Sequence, residues 1–332
     1  MDCITRRTWR PAAVAAGAFA AAPAKKDRGG ARRSMPELRA ALRGVHNFLT
    51  TPFRPDLSLD DDGLRRNVAH HASKAPAGMT MVVGGGLGEL FTMDADEQRA
   101  MAAAAVAGSA GRLPVVVGAG GGYRLAMRMA ENAEKAGADA ILLFSPPYGS
   151  ESGDGAFHYF RDVAASVGIG VVAYPRGKEE YWPAVLKRLA EIPNVIGFKD
   201  PTGGTSIGQA LGSLIEERLL WIAEGEAHAL EALPAGSRAY TTAVATFVPN
   251  ACHEFWKHGV AGERTKMRAV METGIDTVVR VRSLRPNYGI SGIKAALEAL
   301  GRAGGPVRPP GTNVAREDRA AIAGIARKHS EA

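Results

Sequence analysis

Between residues 44 and 242 the sequence alternates short apolar runs with segments of helical periodicity, and it does so about eight times. The apolar runs fall at 44–50, 79–83, 113–117, 138–144, 170–174, 194–199, 219–223 and 238–242. A repeat of roughly 25–30 residues per strand-then-helix unit predicts an α/β fold, the closed (β/α)8 TIM barrel. A doubly wound open sheet is the competing architecture. Ser58-Leu59-Asp60-Asp61 supplies a cap and an acidic first turn for the first helix. After the eighth run the pattern becomes helical, over 248–258, 262–280, 290–300 and 317–328. Residues 41–246 are therefore expected to form the barrel and 247–332 a helical layer packed on it. The Gly/Pro-rich stretch 304–310 reads as a connector.

Residues 1–40 stand apart from this pattern. Thr5-Arg6-Arg7-Thr8-Trp9 looks like a twin-arginine export motif, and 12–24 is a mildly apolar, small-residue stretch. Ala20-Ala21-Ala22 and Ala22-Pro23-Ala24 offer cleavage sites. A working leader implies a periplasmic protein. The other reading is a disordered Ala/Arg-rich extension on a cytoplasmic one. The apolar stretch is too short and weak to span a bilayer.

The net charge of +7 is concentrated in that same segment. Residues 1–34 carry eight Lys/Arg against Asp2 and Asp27, which leaves +1 for the rest. A nearly neutral body gives no electrostatic reason to expect nucleic acid or an acidic membrane as partner. Cys3 and Cys252 are the only cysteines, too few for a disulfide framework or a cysteine-based metal site. His70 and His71 face different directions on one helix, and His228, His253 and His258 are scattered singly. The run Asp60-Asp61-Asp62 complements a helix start rather than forming a ligand set.

In a barrel of this kind chemistry sits at the C-terminal ends of the strands. Polar residues gather there: Thr50-Thr51, a glycine loop over 84–89, Tyr148, Tyr174, Lys199 and Thr241-Thr242. Lys199 ends the run Val195, Ile196, Phe198, where desolvation favours a neutral amine. Such an amine forms a Schiff base with a 2-oxo acid. The ordinary alternative is a lysine that snorkels to solvent or pairs with Asp200. The loop Gly85-Gly86-Leu87 lacks the lysine of a P-loop and is not G-x-G-x-x-G, but its N–H groups can cradle a carboxylate. A plain tight turn is the alternative there. Arg176 and Lys178 are candidates to grip a distal carboxylate, or else solvated loop cations. Thr241 and Thr242 bind substrate hydroxyls or merely close the barrel end.

The chain from about Gly44 to Lys328 resembles the class I aldolase-type family of dihydrodipicolinate synthase and N-acetylneuraminate lyase. Gly88-Glu89, Pro147-Tyr148, Tyr174, Gly197-Phe198-Lys199-Asp200 and Lys294-Ala295-Ala296-Leu297 carry the likeness. Within the family it looks most like the 5-dehydro-4-deoxyglucarate dehydratases, through Tyr174-x-Arg176, the stretch 243–249 and Gly305-Pro306-Val307-Arg308-Pro309-Pro310. The resemblance implies a (β/α)8 barrel with C-terminal helices, a homotetramer and a small-molecule 2-oxo acid as partner. It implies Lys199 as Schiff-base lysine, Tyr174 as the phenol that passes protons, and Gly85, Gly86 and Leu87 as holders of the substrate 1-carboxylate. No metal or cofactor is required. Departures are equally specific. Leu87 stands where threonine is usual, Pro175 where asparagine is, and Gly86 and Gly149 fall where the synthase's threonine and second tyrosine relay protons.

Overall fold

Eight parallel strands pair in sequence order and close on themselves: β1 (Gly44–Phe48), β2 (Met79–Val83), β3 (Val115–Ala119), β4 (Ala140–Phe144), β5 (Gly170–Tyr174), β6 (Val195–Asp200), β7 (Leu220–Ala223) and β8 (Ala239–Thr242). Closure runs from Gly44 opposite Ala239 to Asn47 opposite Thr242. The computed structural model describes residues 33–146, 152–176 and 180–330. Every strand residue is buried, since helices cover the outer face and side chains fill the interior.

The boundaries differ from the sequence reading where local chemistry outweighs apolar content. β3 starts at Val115 rather than 113, because Pro114 has no N–H to give and only its carbonyl is used, by Met81 N–H. It runs on through Gly118, where a Cβ would lie 1.8 Å from the Gly84 carbonyl oxygen. The first barrel helix, Asp61–Lys74, is capped by Asp60, whose carboxylate accepts from Gly63 N–H at 2.9 Å. Ser58 instead donates its hydroxyl to Asp56 at 2.6 Å. The helix expected over 262–280 runs without a break from Arg264 to Ser283, with a π turn over Met271–Ile275 inside it.

Residues 33–40, grouped above with the leader, belong to the fold. Ser34 and Glu37 form a capping box for the helix Met35–Ala41. Leu38, 4% exposed, reaches into the space left by Gly170 beside Ile196. The Ala/Arg-rich composition hides this helix, since it buries a single apolar residue. The twin-arginine stretch lies outside the described residues. No helix among the described residues is long and apolar enough to cross a membrane.

The C-terminal layer is tied to the loop after β2. Lys294, on the helix Ser291–Ala299, pairs with Glu89, and both side chains are almost inaccessible. Glu89 Oε2 also accepts from Arg308 N–H at 2.9 Å, and Lys294 Nζ also donates to the Pro306 carbonyl at 2.7 Å. The Arg308 guanidinium grips Glu97 with both terminal nitrogens and donates to the carbonyls of Leu57 and Thr92. The charges of Lys294 and Arg308 both lie over the Phe53 ring, 4.4 and 4.1 Å from its centroid. Removing one partner of such a pair strands the other. Lys294→Met should therefore cost about 3–5 kcal/mol in urea denaturation. Glu89→Gln/Lys294→Met, which removes both charges and keeps an acceptor for Arg308 N–H, should lose less.

Candidate active site

Lys199 is the penultimate residue of β6, and its side chain is 4% exposed. Beneath it the barrel interior is apolar: Phe48, Val82, Val116, Leu142, Val172 and Ile222, with only His46 and Thr241 as polar neighbours. Desolvation pushes the ammonium down from the usual lysine range to about 8, against the upward pull of Glu224 and with help from the Arg176 charge. The amine does not snorkel, and it does not pair with Asp200. That carboxylate is held by Trp221 Nε1 at 3.1 Å and by the N–H and hydroxyl of Thr202 at 2.9 and 2.6 Å.

The partner of Lys199 is Glu224, the first residue after β7, at 2.7 Å between Nζ and Oε1. Tyr174, the last residue of β5, donates its hydroxyl to the same carboxylate at 3.1 and 3.2 Å. Its ring lies against the amine, with the centroid 3.7 Å from Lys199 Nζ, and packs edge-on against Phe144 at 5.1 Å. Burial first, and then the Glu224 charge and hydrogen bond, raise the phenol well above its ordinary value. Tyr174 is thus held neutral, as a hydrogen-bond donor to Glu224. The structure places Lys199 and Tyr174 side by side and adds Glu224, which the sequence reading does not name. The strand-end rule, applied to β7, is the signal that finds it.

The glycine loop opens on the same space. Gly84 turns the chain out of β2 with φ +62, and a Cβ on Gly85 would strike the Phe48 ring at 2.6 Å. That ring's centroid is also 5.9 Å from Lys199 Nζ, so the loop and the lysine share a wall. The carbonyls of Gly85 and Gly86 accept from Gly88 and Glu89 N–H. Among the described residues nothing accepts from the N–H groups of Gly85, Gly86 or Leu87. Leu87 is partly exposed and packs against the core through its side chain.

Arg176 lies at the rim beyond Tyr174, exposed, and has no carboxylate partner among the described residues; its backbone N–H is fixed by Ser145 Oγ at 3.0 Å. Lys178 and Tyr148 lie outside the described residues. Both threonines of β8 already serve the segment after β7. Thr241 Oγ1 accepts from Gly225 N–H at 3.0 Å, while Thr242 donates to Glu226 and accepts from Val244 N–H. Thr51 is likewise engaged, donating to the Gly88 carbonyl at 2.7 Å. No cluster of three or more His, Cys, Asp or Glu placed to hold a metal ion occurs among the described residues.

The geometry can be set beside known proteins. The profile of the dihydrodipicolinate synthetase family matches residues 41–329. A protein of Ralstonia nicotianae described as a probable 5-dehydro-4-deoxyglucarate dehydratase is 34% identical over 287 residues, 85% of this chain and 91% of the relative. One of Rhizobium rhizogenes with the same description is 34% identical over 296 residues, 87% and 96% of the two chains. Among solved structures, dihydrodipicolinate synthase from Oceanobacillus iheyensis superposes with a TM-score of 0.77 at 20% identity, covering 89% of this chain and 98% of its own. The Acinetobacter baumannii enzyme complexed with pyruvate gives 0.74 at 22% identity, covering 87% and 99%. At such identities the structures speak for the fold alone. The extent of the family match and the relatives above 30% identity carry the assignment: this chain belongs to the dihydrodipicolinate synthetase family and is an aldolase-type lyase.

Proposed function

We propose that the protein is a Schiff-base-forming dehydratase acting on a 2-oxo-3-deoxy sugar acid, and specifically on 5-dehydro-4-deoxyglucarate, giving 2,5-dioxopentanoate, water and CO2. The observation that carries the reading is the Lys199 amine, stripped of water at the barrel mouth with the Tyr174 ring 3.7 Å away. The names of the relatives support the choice of substrate.

In this reading the neutral amine attacks the ketone carbon, the carbinolamine loses water, and the resulting iminium draws electrons from the adjacent C–H bond. Loss of that proton gives an enamine, which expels the hydroxyl one carbon further on. Decarboxylation of the unsaturated intermediate follows. The N–H groups of Gly85, Gly86 and Leu87, which meet no acceptor among the described residues, suit the 1-carboxylate. Arg176, exposed and without a carboxylate partner among the described residues, suits the distal one, and Lys178 is proposed beside it. The homotetramer implied by the resemblance is proposed with it; light scattering reads it directly.

Borohydride added during turnover should fix substrate carbon on Lys199, read by peptide mass, and Lys199→Ala should show neither adduct nor turnover. Product analysis separates two outcomes: 2,5-dioxopentanoate with CO2 fits the dehydratase, whereas pyruvate with an aldehyde makes the protein a retro-aldol lyase. Unmodified Lys199 under turnover conditions ends the reading.

The pH dependence has a definite sign. Only the neutral amine is nucleophilic, and its fraction rises with pH through about 8 in the folded protein. The initial rate of adduct formation with pyruvate should therefore climb to a plateau with its midpoint near 8. An unperturbed lysine would keep climbing to about 10.4.

A further inference from the structure

We infer that Glu224 is the proton carrier of the imine cycle, the base that removes the substrate's C3 proton and the acid that returns protons to departing oxygens. The inference rests on the Schiff-base reading above and names the group that reading leaves open.

Three observations converge on this carboxylate. It lies 2.7 Å from Lys199 Nζ, so it can reach the atoms on the carbon to which that nitrogen becomes bonded. It accepts the Tyr174 hydroxyl, which links it to a second proton donor. It is also about one-third exposed while Lys199 is sealed, so it can trade protons with solvent. The usual competitor is absent on the glycine loop: at Gly86 a side chain would have open space, and none is present to receive the Tyr174 proton. Asp200 is turned away to Trp221 and Thr202. His46, the other titratable group lining the interior, is buried and tied to the Leu42 carbonyl at 2.7 Å.

The protons balance through one carboxylate. Lys199 ammonium gives a proton to Glu224, and the amine lone pair forms the C–N bond as the carbonyl π pair moves to oxygen. Glu224 protonates that oxygen, takes the second proton from nitrogen, and returns it as the C–O bond breaks and water leaves. The iminium keeps the single positive charge of the starting ammonium, and Glu224 is a carboxylate again. It then takes the C3 proton, the C–H pair forms the enamine double bond, and the C4 hydroxyl leaves as water with the same proton.

Pyruvate supplies a direct probe, because on the enzyme its methyl protons exchange with D2O through the enamine, read above the slow exchange that pyruvate shows with no protein present. Glu224→Gln keeps the shape and a hydrogen bond for Tyr174 but cannot carry a proton. Methyl deuteration followed by NMR should fall by about 10²-fold or more in this variant. Given time to equilibrate, borohydride should still fix pyruvate on Lys199, with the midpoint of its pH profile moved below that of the parent. Glu224→Asp should recover part of the exchange. Deuteration at the parent rate in Glu224→Gln overturns the assignment. So does loss of trapping and exchange in equal proportion, which marks mere structural support. A parent enzyme that traps no pyruvate brings down the Schiff-base reading itself, and this assignment with it.

Discussion

One ammonium group, taken out of water at the mouth of the barrel and answered by one carboxylate, sets the terms for everything around it. A cation held this deep with no partner would be costly; one sealed into a perfect pair would be inert. Lys199 lies between these limits. The apolar interior below it pulls the amine toward neutrality, Glu224 pulls it back, and the balance leaves it titrating near 8. Only a closed barrel offers this combination, because its strands point a ring of side chains at a dry centre while their C-terminal ends open to substrate.

The same chain builds a second lysine–glutamate pair, and the contrast explains what each is for. Around Lys294 and Glu89 every neighbour adds a bond: the Pro306 carbonyl, the Arg308 N–H, the Phe53 face. Both side chains are almost inaccessible, and the pair fastens a loop to the helical layer. Glu224, by contrast, has solvent on one side and a phenol on the other. Identical residue types are thus a rivet in one place and a proton station in another, according to what fills the remaining lone pairs.

The strand count, the barrel and the Lys199–Tyr174 pair are legible in the sequence, because buried parallel strands concentrate apolar residues and the strand-end rule marks where their polar exceptions point. Glu224 is open to the same rule, as the first residue after β7, but an acidic residue before a glycine and a second glutamate reads more readily as the start of the next helix. Its role depends on β7 lying beside β6, which is a fact of pairing rather than of composition. Boundaries are least legible where one atom decides them: the missing N–H of Pro114, or the choice of Asp60 over Ser58 as cap. The helix Met35–Ala41 escapes notice because, within its Ala/Arg-rich span, Leu38 is the one residue fully buried.

The grip of Arg308 on Glu97, Thr92 and Leu57 reaches back across more than two hundred residues of chain. During synthesis from the N-terminus, the barrel strands are all made before this arginine leaves the ribosome. The loop after β2 therefore waits, its contacts at Glu89 and Thr92 unmade, for nearly the whole polypeptide. A nascent barrel can close early, but the loop after its second strand gains its last anchor only when the tail arrives.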